Sequence, residues 1–215
     1  MNPVRLSFIR SALCKKFQRN SNDPRPLEGL NVIDVGCGGG LLCEPLARMG
    51  AQVTGIDAVE KNIIVASLHA AKDPLTSSIN YSCSTAEQLV QEQQRFDVVT
   101  ALEVIEHVAD PKEFCSSLTS LLKPDGVVVI STINRSISAY GLAIVAAEYI
   151  LGWLPKGTHD WFKLITPEEL ALLADHSSLK VQEMAGMVYN PLVGTWSLSD
   201  DLNVNYITWM TKSST

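Results

Sequence analysis

The chain has 215 residues and a net charge of −6, with 46% hydrophobic and 19% charged residues. We expect residues 1–215 to form one globular domain with a substantial core. The acidic balance argues against nucleic acid as a partner. The five cysteines are scattered and form no CxxC pair. This argues against a disulfide framework or a structural zinc site, and favours a reducing compartment.

The N-terminal segment is basic. Arg and Lys recur from Arg5 to Arg25, and Asp23 is the only acid among them. A basic, serine-containing segment of this kind is typical of a mitochondrial presequence. The alternative is a surface helix of the folded domain.

The first two thirds of the chain alternate short β-rich runs with helical stretches, which predicts a parallel α/β sheet. The predicted strands are 31–35, 52–56, 79–83, 96–100 and 126–132. The predicted helices are 41–49, 59–71, 86–93 and 111–122. Asp110-Pro111 begins the last helix, and the turn Lys123-Pro-Asp-Gly126 ends it.

A long apolar stretch, residues 136–154, follows the fifth strand. Its length is near the ~20 residues that a membrane span needs. However, Glu148 lies inside it, and a span would separate the last strands from their sheet. We therefore expect a helical insertion over 136–165 that is an active-site lid or a peripheral lipid contact, the latter favoured by Tyr149 and Trp153. The alternative is an ordinary helix packed on the core.

The C-terminal part begins with a predicted helix at 166–176. Thr166, Pro167 and Glu169 form a capping-box pattern at its start. Two β-like runs, 179–189 and 204–212, have no helical pattern between them. They predict an antiparallel hairpin at the sheet edge.

A glycine-rich loop lies between the first strand and the first helix of the sheet. Gly36, Gly38 and Gly40 give G-x-G-x-G, whereas the dinucleotide fingerprint requires a glycine where Leu41 stands. Asp34, just before the loop, suits a ligand with an ammonium group better than a pyrophosphate. Asp57 ends the second strand, where a carboxylate can bind ribose hydroxyls or cap the next helix.

An acidic cluster with a histidine, Leu102-Glu103-Val-Ile-Glu106-His107-Val108, follows the fourth strand. In a helical turn Glu103, Glu106 and His107 would share one face. Such a trio could hold a divalent metal, or His107 could act as a general base. Carboxylates suit Mg²⁺, and the imidazole would also admit Zn²⁺ or Mn²⁺. The alternative is that these residues are generic in proteins with this loop.

The strand ending in Asp34, the glycine loop and Asp57 resemble the class I S-adenosylmethionine methyltransferases over residues 31–132. This resemblance implies a Rossmann-like, seven-stranded α/β sheet with helices on both faces. It also places residues 84–87 near the adenine of S-adenosylmethionine.

The whole chain resembles the ubiquinone biosynthesis O-methyltransferases. The segments that carry the resemblance are Asn2-Pro-Val-Arg5, DVGCGGGLL (34–42), EVIEHV (103–108), STINR (131–135), AAEYILGWLPKGTHDW (146–161) and VYNP (188–191). The resemblance implies a folded N-terminal helix, in place of a presequence, and further family sequence upstream of Met1.

The same resemblance implies a polyprenylated catechol as acceptor and a place in a ubiquinone-biosynthesis complex. The enzyme would work at the matrix side of the mitochondrial inner membrane, or at the bacterial cytoplasmic membrane. The resemblance also implies cofactor contacts at Arg5, Gly36, Asp57 and Leu102, to which the pattern of the loop itself adds Asp34 and Gly38. Metal ligands fall on Glu103, Glu106 and His107, with Glu103 and His107 as catalytic residues.

Three other functions are compatible with parts of the pattern. A methyltransferase acting on carbon or nitrogen would share the loop but would need no divalent metal. A nucleotide-dependent oxidoreductase is disfavoured by Leu41. A non-catalytic lipid-binding subunit is disfavoured by the intact acidic cluster.

Overall fold

A computed structural model describes residues 1–136, 161–191 and 193–213. Most of the predicted insertion at 136–165, including the apolar stretch and the PKGTHD sequence, lies outside these residues. Its helical, lid and lipid-contact roles stay predictions, as does the single domain over 1–215. Within the described residues, no helix combines the length and the hydropathy that crossing a membrane requires.

Helices and strands alternate through the first two thirds of the chain. The helices are α1 (Asn2–Lys16), α2 (Cys43–Arg48), α3 (Glu60–Ala70), α4 (Ala86–Gln91), α5 (Pro111–Ser120) and α6 (Pro167–His176). The strands are β1 (Asn31–Val35), β2 (Gln52–Asp57), β3 (Asn80–Cys83), β4 (Phe96–Leu102), β5 (Leu122–Ile133), β6 (Leu179–Asn190), β7 (Thr195–Ser199) and β8 (Asn205–Lys212).

The strands form one mixed sheet in the order β3-β2-β1-β4-β5-β8-β6-β7. Strands β1 to β5 pair in parallel, and the last three strands pair antiparallel. The Rossmann-like α/β class is therefore confirmed. The described sheet has eight strands in place of the predicted seven, because Thr195–Ser199 pairs with β6 as an additional edge strand. The predicted hairpin forms, but β8 lies inside the sheet, between β5 and β6.

The central parallel strands β1, β4 and β5 are buried on both faces, and their successive residues face opposite layers. In β4, Val98 packs in the layer that contains α1, α2 and α3, and Val99 in the layer that contains α4, α5 and α6. Apolar runs such as this are typical of parallel sheets covered on both sides. Helix α1 buries Phe8, Ile9 and Leu13 in the first layer, so the basic N-terminal segment is a folded helix as far as Lys16.

The predicted turn at 123–126 is a bulge of β5. Leu122 pairs with Phe96 and Val127 pairs with Val98, so four residues leave the ladder with Pro124 and Asp125 exposed. The first residues of α5 and α6 are determined by their N-caps. Asp110 accepts hydrogen bonds from the first turn of α5, and Thr166 and Glu169 form the predicted capping box of α6.

Gly186 in β6 lies against the chain at Asp201. A Cβ at this position would lie 1.8 Å from the Asp201 carbonyl oxygen. We expect Gly186→Ala to lower the free energy of unfolding by about 1–3 kcal/mol, the usual cost of overpacking. Urea denaturation measures this cost. Gly39→Ala is the control, because its Cβ would have only an ordinary contact, 3.8 Å from Val65. Equal stability of the two variants would contradict the expected clash.

Candidate active site

The glycine loop turns sharply after β1 and leaves its backbone open on one side. The amides of Gly36 and Cys37 donate to the Ile56 carbonyl, at 2.8 and 2.9 Å, which fixes the loop to β2. Gly36 and Gly38 have φ values of +72° and +53°, which favour glycine. A Cβ at Gly36 would lie 2.5 Å from Val104, whereas a Cβ at Gly38 would meet nothing within 4 Å. The Gly38 backbone therefore borders a space that a ligand can enter closely.

Asp57 ties this loop to the end of β2. Its Oδ2 accepts from the Gly38 amide at 2.9 Å, and its Oδ1 accepts from the Val59 amide and the Asn62 side chain at 2.9 and 3.1 Å. Asp57 precedes the N-cap of α3, Val59, by two residues, so it does not cap that helix itself. The Ser84 amide donates to the Asp57 carbonyl at 3.2 Å, so residues 84–87 begin beside this carboxylate. The ribose and adenine roles remain predictions.

Asp34 lies beneath the loop at the end of β1. Its side chain is buried and accepts hydrogen bonds from the Thr100 hydroxyl at 2.7 Å and the Cys43 thiol at 3.4 Å. Burial raises the pKa of Asp34 to about 6, although the two hydrogen bonds oppose the shift. A buried carboxylate without an ion-pair partner among the described residues suits a cationic ligand group.

Helix α1 brings Arg5 to the acidic cluster. The Asn2 side chain donates to the Leu41 carbonyl at 2.9 Å, which holds the start of α1 over the glycine loop. Arg5 Nη2 donates to Glu103 Oε1 at 2.6 Å, and the Ser131 hydroxyl donates to the same oxygen at 2.8 Å. The structure therefore places Arg5 against a predicted metal ligand.

The segment after β4 is a series of turns, so the prediction that Glu103, Glu106 and His107 share one helical face is wrong. Glu103 has a φ of +58°, which no residue of an α-helix adopts. Glu106 is buried, whereas His107 lies on the exposed side of the turn. Within the described ranges, no group of three His, Cys, Asp or Glu side chains is close enough to hold a metal ion. Leu102, the last residue of β4, is partly buried next to this turn.

Glu106 is the least satisfied of the buried polar groups at this edge. Only 3% of its surface is exposed, and neither carboxylate oxygen has a hydrogen-bond partner of normal geometry. Burial, and then the charge of Glu103, raise the pKa of Glu106 to about 8. The buried hydroxyl of Thr132 also lacks a partner of normal geometry, although it faces Glu106 closely enough to oppose the rise of that pKa. Unsatisfied buried groups are rare and often mark functional sites.

A cleft of about 740 Å³ opens beside Glu106. Val108, Phe162 and Leu173 give it apolar walls, and Arg135 adds a charged group. Its size is typical of small-molecule sites. A small molecule therefore has room beside Glu106.

Several polar residues around the site escaped the sequence interpretation. Thr100, Ser131 and Thr132 lie near the C-terminal ends of β4 and β5 and face the acidic groups. The sequence feature that could have revealed them is a hydroxyl side chain inside an otherwise apolar strand. Cys43 shows no such signal, because a buried cysteine is ordinarily a core residue.

The sequence comparisons show which family this chain is similar to. A family model described as "Methyltransferase domain" matches residues 5–184. The mitochondrial ubiquinone biosynthesis O-methyltransferase of Arabidopsis thaliana is 59% identical over 99% of this chain, which spans 66% of that relative. The enzyme of the same name from Rhodopseudomonas palustris is 51% identical, with 96% of this chain and 80% of that relative covered. The enzyme of the same name from Brucella ovis is 50% identical, with 96% of this chain and 82% of that relative covered.

Solved structures show the same fold. A magnesium protoporphyrin IX methyltransferase from Synechocystis, with bound S-adenosylhomocysteine, superposes with a TM-score of 0.66 at 20% identity and covers 98% of this chain and 85% of its own. The plantazolicin methyltransferase BpumL superposes with a TM-score of 0.68 at 16% identity, and the match covers 99% of this chain and 84% of BpumL. At these identities the likeness concerns the fold.

Fold, loop and family model together define a class I, S-adenosylmethionine-dependent methyltransferase. Within that class, the chain belongs to the family of ubiquinone biosynthesis O-methyltransferases. It is accordingly an O-methyltransferase, which sets aside the oxidoreductase, the C- or N-methyltransferase and the non-catalytic subunit.

Proposed function

We propose that this enzyme methylates a hydroxyl of a polyprenylated catechol in ubiquinone biosynthesis. The S–CH₃ bond of the sulfonium breaks, an O–CH₃ bond forms, and the hydroxyl proton leaves. The names of the relatives support the pathway. The observation that carries the chemistry is Glu106, a buried carboxylate that lines the cleft and whose oxygens lack hydrogen-bond partners of normal geometry.

The residues at the loop fit S-adenosylmethionine. Bound there, the cofactor supplies an electrophilic methyl group. The open backbone at Gly38 admits its close approach, and we assign Gly36 and Leu102 to further contacts with it. Asp34 would accept its ammonium group, and Asp57 its ribose hydroxyls. The protein's part is mainly to position donor and acceptor, which is a large share of catalysis in a two-substrate transfer.

We also propose a divalent cation held by Glu103, Glu106 and His107, for which Mg²⁺ is our choice and Zn²⁺ or Mn²⁺ are alternatives. What supports it is Glu106, whose two buried oxygens lack a partner of normal geometry. The three side chains would have to move together, because in the described ranges they are not close enough to hold a metal ion and Glu103 is paired with Arg5. When bound, a cation supplies positive charge that favours loss of the acceptor's proton. In the alternative, His107 itself accepts that proton as a general base.

The experiment is a methylation assay with purified enzyme, S-adenosylmethionine and a short-chain prenyl catechol, with and without EDTA. We expect a product heavier by one methyl group, and strong inhibition by EDTA that added Mg²⁺ reverses. The control acceptor is the same molecule with both hydroxyls already methylated. Methylation of this control, or a product that carries the methyl on carbon, would contradict the proposal.

We further propose that the enzyme works at a membrane surface, because its acceptor carries an isoprenoid chain. In mitochondria this is the matrix side of the inner membrane, and in bacteria the cytoplasmic membrane. A place in a ubiquinone-biosynthesis complex is part of the same proposal. The names of the plant and bacterial relatives are compatible with either location.

Lipid contact is proposed for residues 136–154. We expect wild-type protein to cosediment with anionic liposomes, and a variant with Leu142, Ile150 and Trp153 changed to Ser to stay in the supernatant, since it loses apolar area that would enter the interface. A variant with the exposed Leu172 changed to Ser is the control. Equal binding of all three proteins would exclude contact through this segment.

A further inference from the structure

The cleft beside Glu106 has largely apolar walls. Val108 and Pro111 line it where the turns after β4 lead into α5, and Phe162 and Leu173 line it from the chain before α6 and from α6 itself. Phe162 is 85% exposed. Apolar side chains that gather at a surface cavity are typical of binding grooves, whereas scattered ones need no explanation. The walls therefore suit an apolar part of a ligand.

The carboxylates that line the cleft are mostly engaged by contacts within the protein. Asp110 accepts hydrogen bonds from two amides in the first turn of α5, at 2.9 and 3.1 Å. Glu169 accepts from Arg135 with one oxygen and from the Thr166 amide, at 2.9 Å, with the other. Glu106 differs, because neither of its oxygens has a hydrogen-bond partner of normal geometry. The lining therefore fits a ligand with one polar group for Glu106 and an apolar remainder.

The cleft is also close in the chain to the proposed lipid contact. Arg135 directly precedes the apolar stretch 136–154 and Phe162 follows it, and both residues line the cleft. Lys112 and Lys163 line it as well, but both are exposed and keep their charges in water. An apolar chain that leaves the cleft on this side would enter the region of the proposed membrane surface.

We propose that this cleft binds the isoprenoid tail of the acceptor. The ring places its hydroxyl at Glu106, and the first isoprene units lie against Val108, Phe162 and Leu173. Phe162 is then a residue that selects prenylated over unprenylated catechols. The inference rests on the proposed function and assigns a site to the tail of its acceptor. Because the cleft has a finite volume of about 740 Å³, isoprene units beyond it should add little affinity.

The kinetic test compares a short-chain prenyl catechol with the same catechol without its prenyl chain. We expect Phe162→Ser to raise KM for the prenyl catechol by about 10-fold, the order expected when one large apolar contact is lost. The kcat should stay unchanged, because the tail is held equally in the ground state and the transition state. Both constants for the unprenylated catechol should stay at the wild-type level.

Two further variants separate tail binding from a structural role. Phe162→Leu should keep most of the wild-type KM for the prenyl catechol, because leucine restores apolar area. Leu68→Ser is the matched control, because Leu68 is 65% exposed on α3, in the opposite layer of helices. It should leave both acceptors unaffected.

The binding test needs no turnover. A farnesol derivative with a photoreactive diazirine is irradiated with the full chain, and the labelled peptides are identified by mass spectrometry. We expect label in residues 105–111 and 162–173, less of it in Phe162→Ser, and competition by the prenyl catechol but not by the unprenylated one.

The outcomes are distinguishable. An equal loss of activity on both acceptors in Phe162→Ser would make Phe162 a structural residue, and an unchanged KM for the prenyl catechol or label confined to residues 136–154 would place the tail elsewhere. Label displaced by phosphatidylcholine vesicles but not by the prenyl catechol would assign the cleft to a lipid acyl chain. Each of these results overturns the inference and leaves the methylation reaction intact. Failure of the proposed function appears instead as the absence of methyl transfer by wild type to either catechol.

Discussion

Glu106→Gln is expected to lower kcat by about 10²- to 10³-fold, because charge stabilisation at the acceptor is worth several kcal/mol. Glutamine keeps the size of the side chain and mimics its protonated form, but it cannot lose a proton and so cannot supply negative charge during the reaction. S-adenosylhomocysteine affinity should stay at the wild-type level, since the recorded contacts of the cofactor loop run through Gly38 and Asp57. Steady-state assays on the prenyl catechol and calorimetry with S-adenosylhomocysteine measure the two quantities.

The same substitution should make the protein more stable. Glu106 has a pKa of about 8 in the folded chain against an ordinary value of 4.5, because burial and Glu103 disfavour its charge. Between these two values the unfolded chain loses the proton that the folded chain keeps, so stability falls as pH rises. Glutamine mimics the protonated form and removes this loss. A higher Tm at pH 7 together with lost turnover would show that the variant is folded.

Glu113→Gln is the matched control, because Glu113 is exposed on α5, seven residues further along the chain. It should leave both kcat and Tm unchanged. A Glu106→Gln enzyme with near-normal kcat would remove Glu106 from the reaction and leave His107 as the candidate base.

Asp34→Asn is expected to weaken S-adenosylhomocysteine binding by about 10- to 100-fold, since a charged hydrogen bond is worth about 1.5–3 kcal/mol. Asparagine can still accept the hydrogen bond from Thr100, so the loss concerns the charge offered to the ligand's ammonium. Calorimetry measures the affinity. Asp125→Asn is the control, since Asp125 is exposed in the bulge of β5. Unchanged affinity in Asp34→Asn would contradict the ammonium contact.

Donor-free Asp34→Asn protein should gain stability. The pKa of Asp34 is raised from 3.8 to about 6 in the folded chain. Below about pH 4 the carboxyl is protonated in both the folded and the unfolded chain, so it does not change the free energy of unfolding. From about pH 4 to 6 only the unfolded chain loses the proton, so the free energy of unfolding falls as pH rises. Above pH 6 the loss in the free energy of unfolding is constant, at roughly 3 kcal/mol. Urea denaturation at pH 4 and pH 7 measures it. Wild type should lose this stability between the two pH values, and the variant should not. A parallel loss in both would mean that Asp34 does not bear the cost.

The local sequence pattern was enough to predict much of the fold. The glycine loop, the strand that ends at Asp57 and the capping box at Thr166 were all predicted at their observed places. They depend on backbone φ values, on period-two burial and on contacts between residues a few positions apart. The sequence contains these directly, because short-range sterics determine them. The short edge strand at 195–199 was missed, because it is mostly exposed and acquires its structure by pairing with β6.

The acidic cluster is a part of the site that the local sequence pattern did not predict correctly. The spacing of Glu103, Glu106 and His107 predicted one helical face, but Glu103 has a φ of +58° and its carboxylate accepts hydrogen bonds from Arg5 and Ser131. Arg5 is separated from Glu103 by 98 positions, and the two meet because α1 packs over the loop. Burial of Glu106 likewise depends on the strands and helices around it. The sequence determined the residue types and the cofactor loop, whereas only the tertiary structure decided which charges meet, because that depends on long-range packing and the desolvation it imposes.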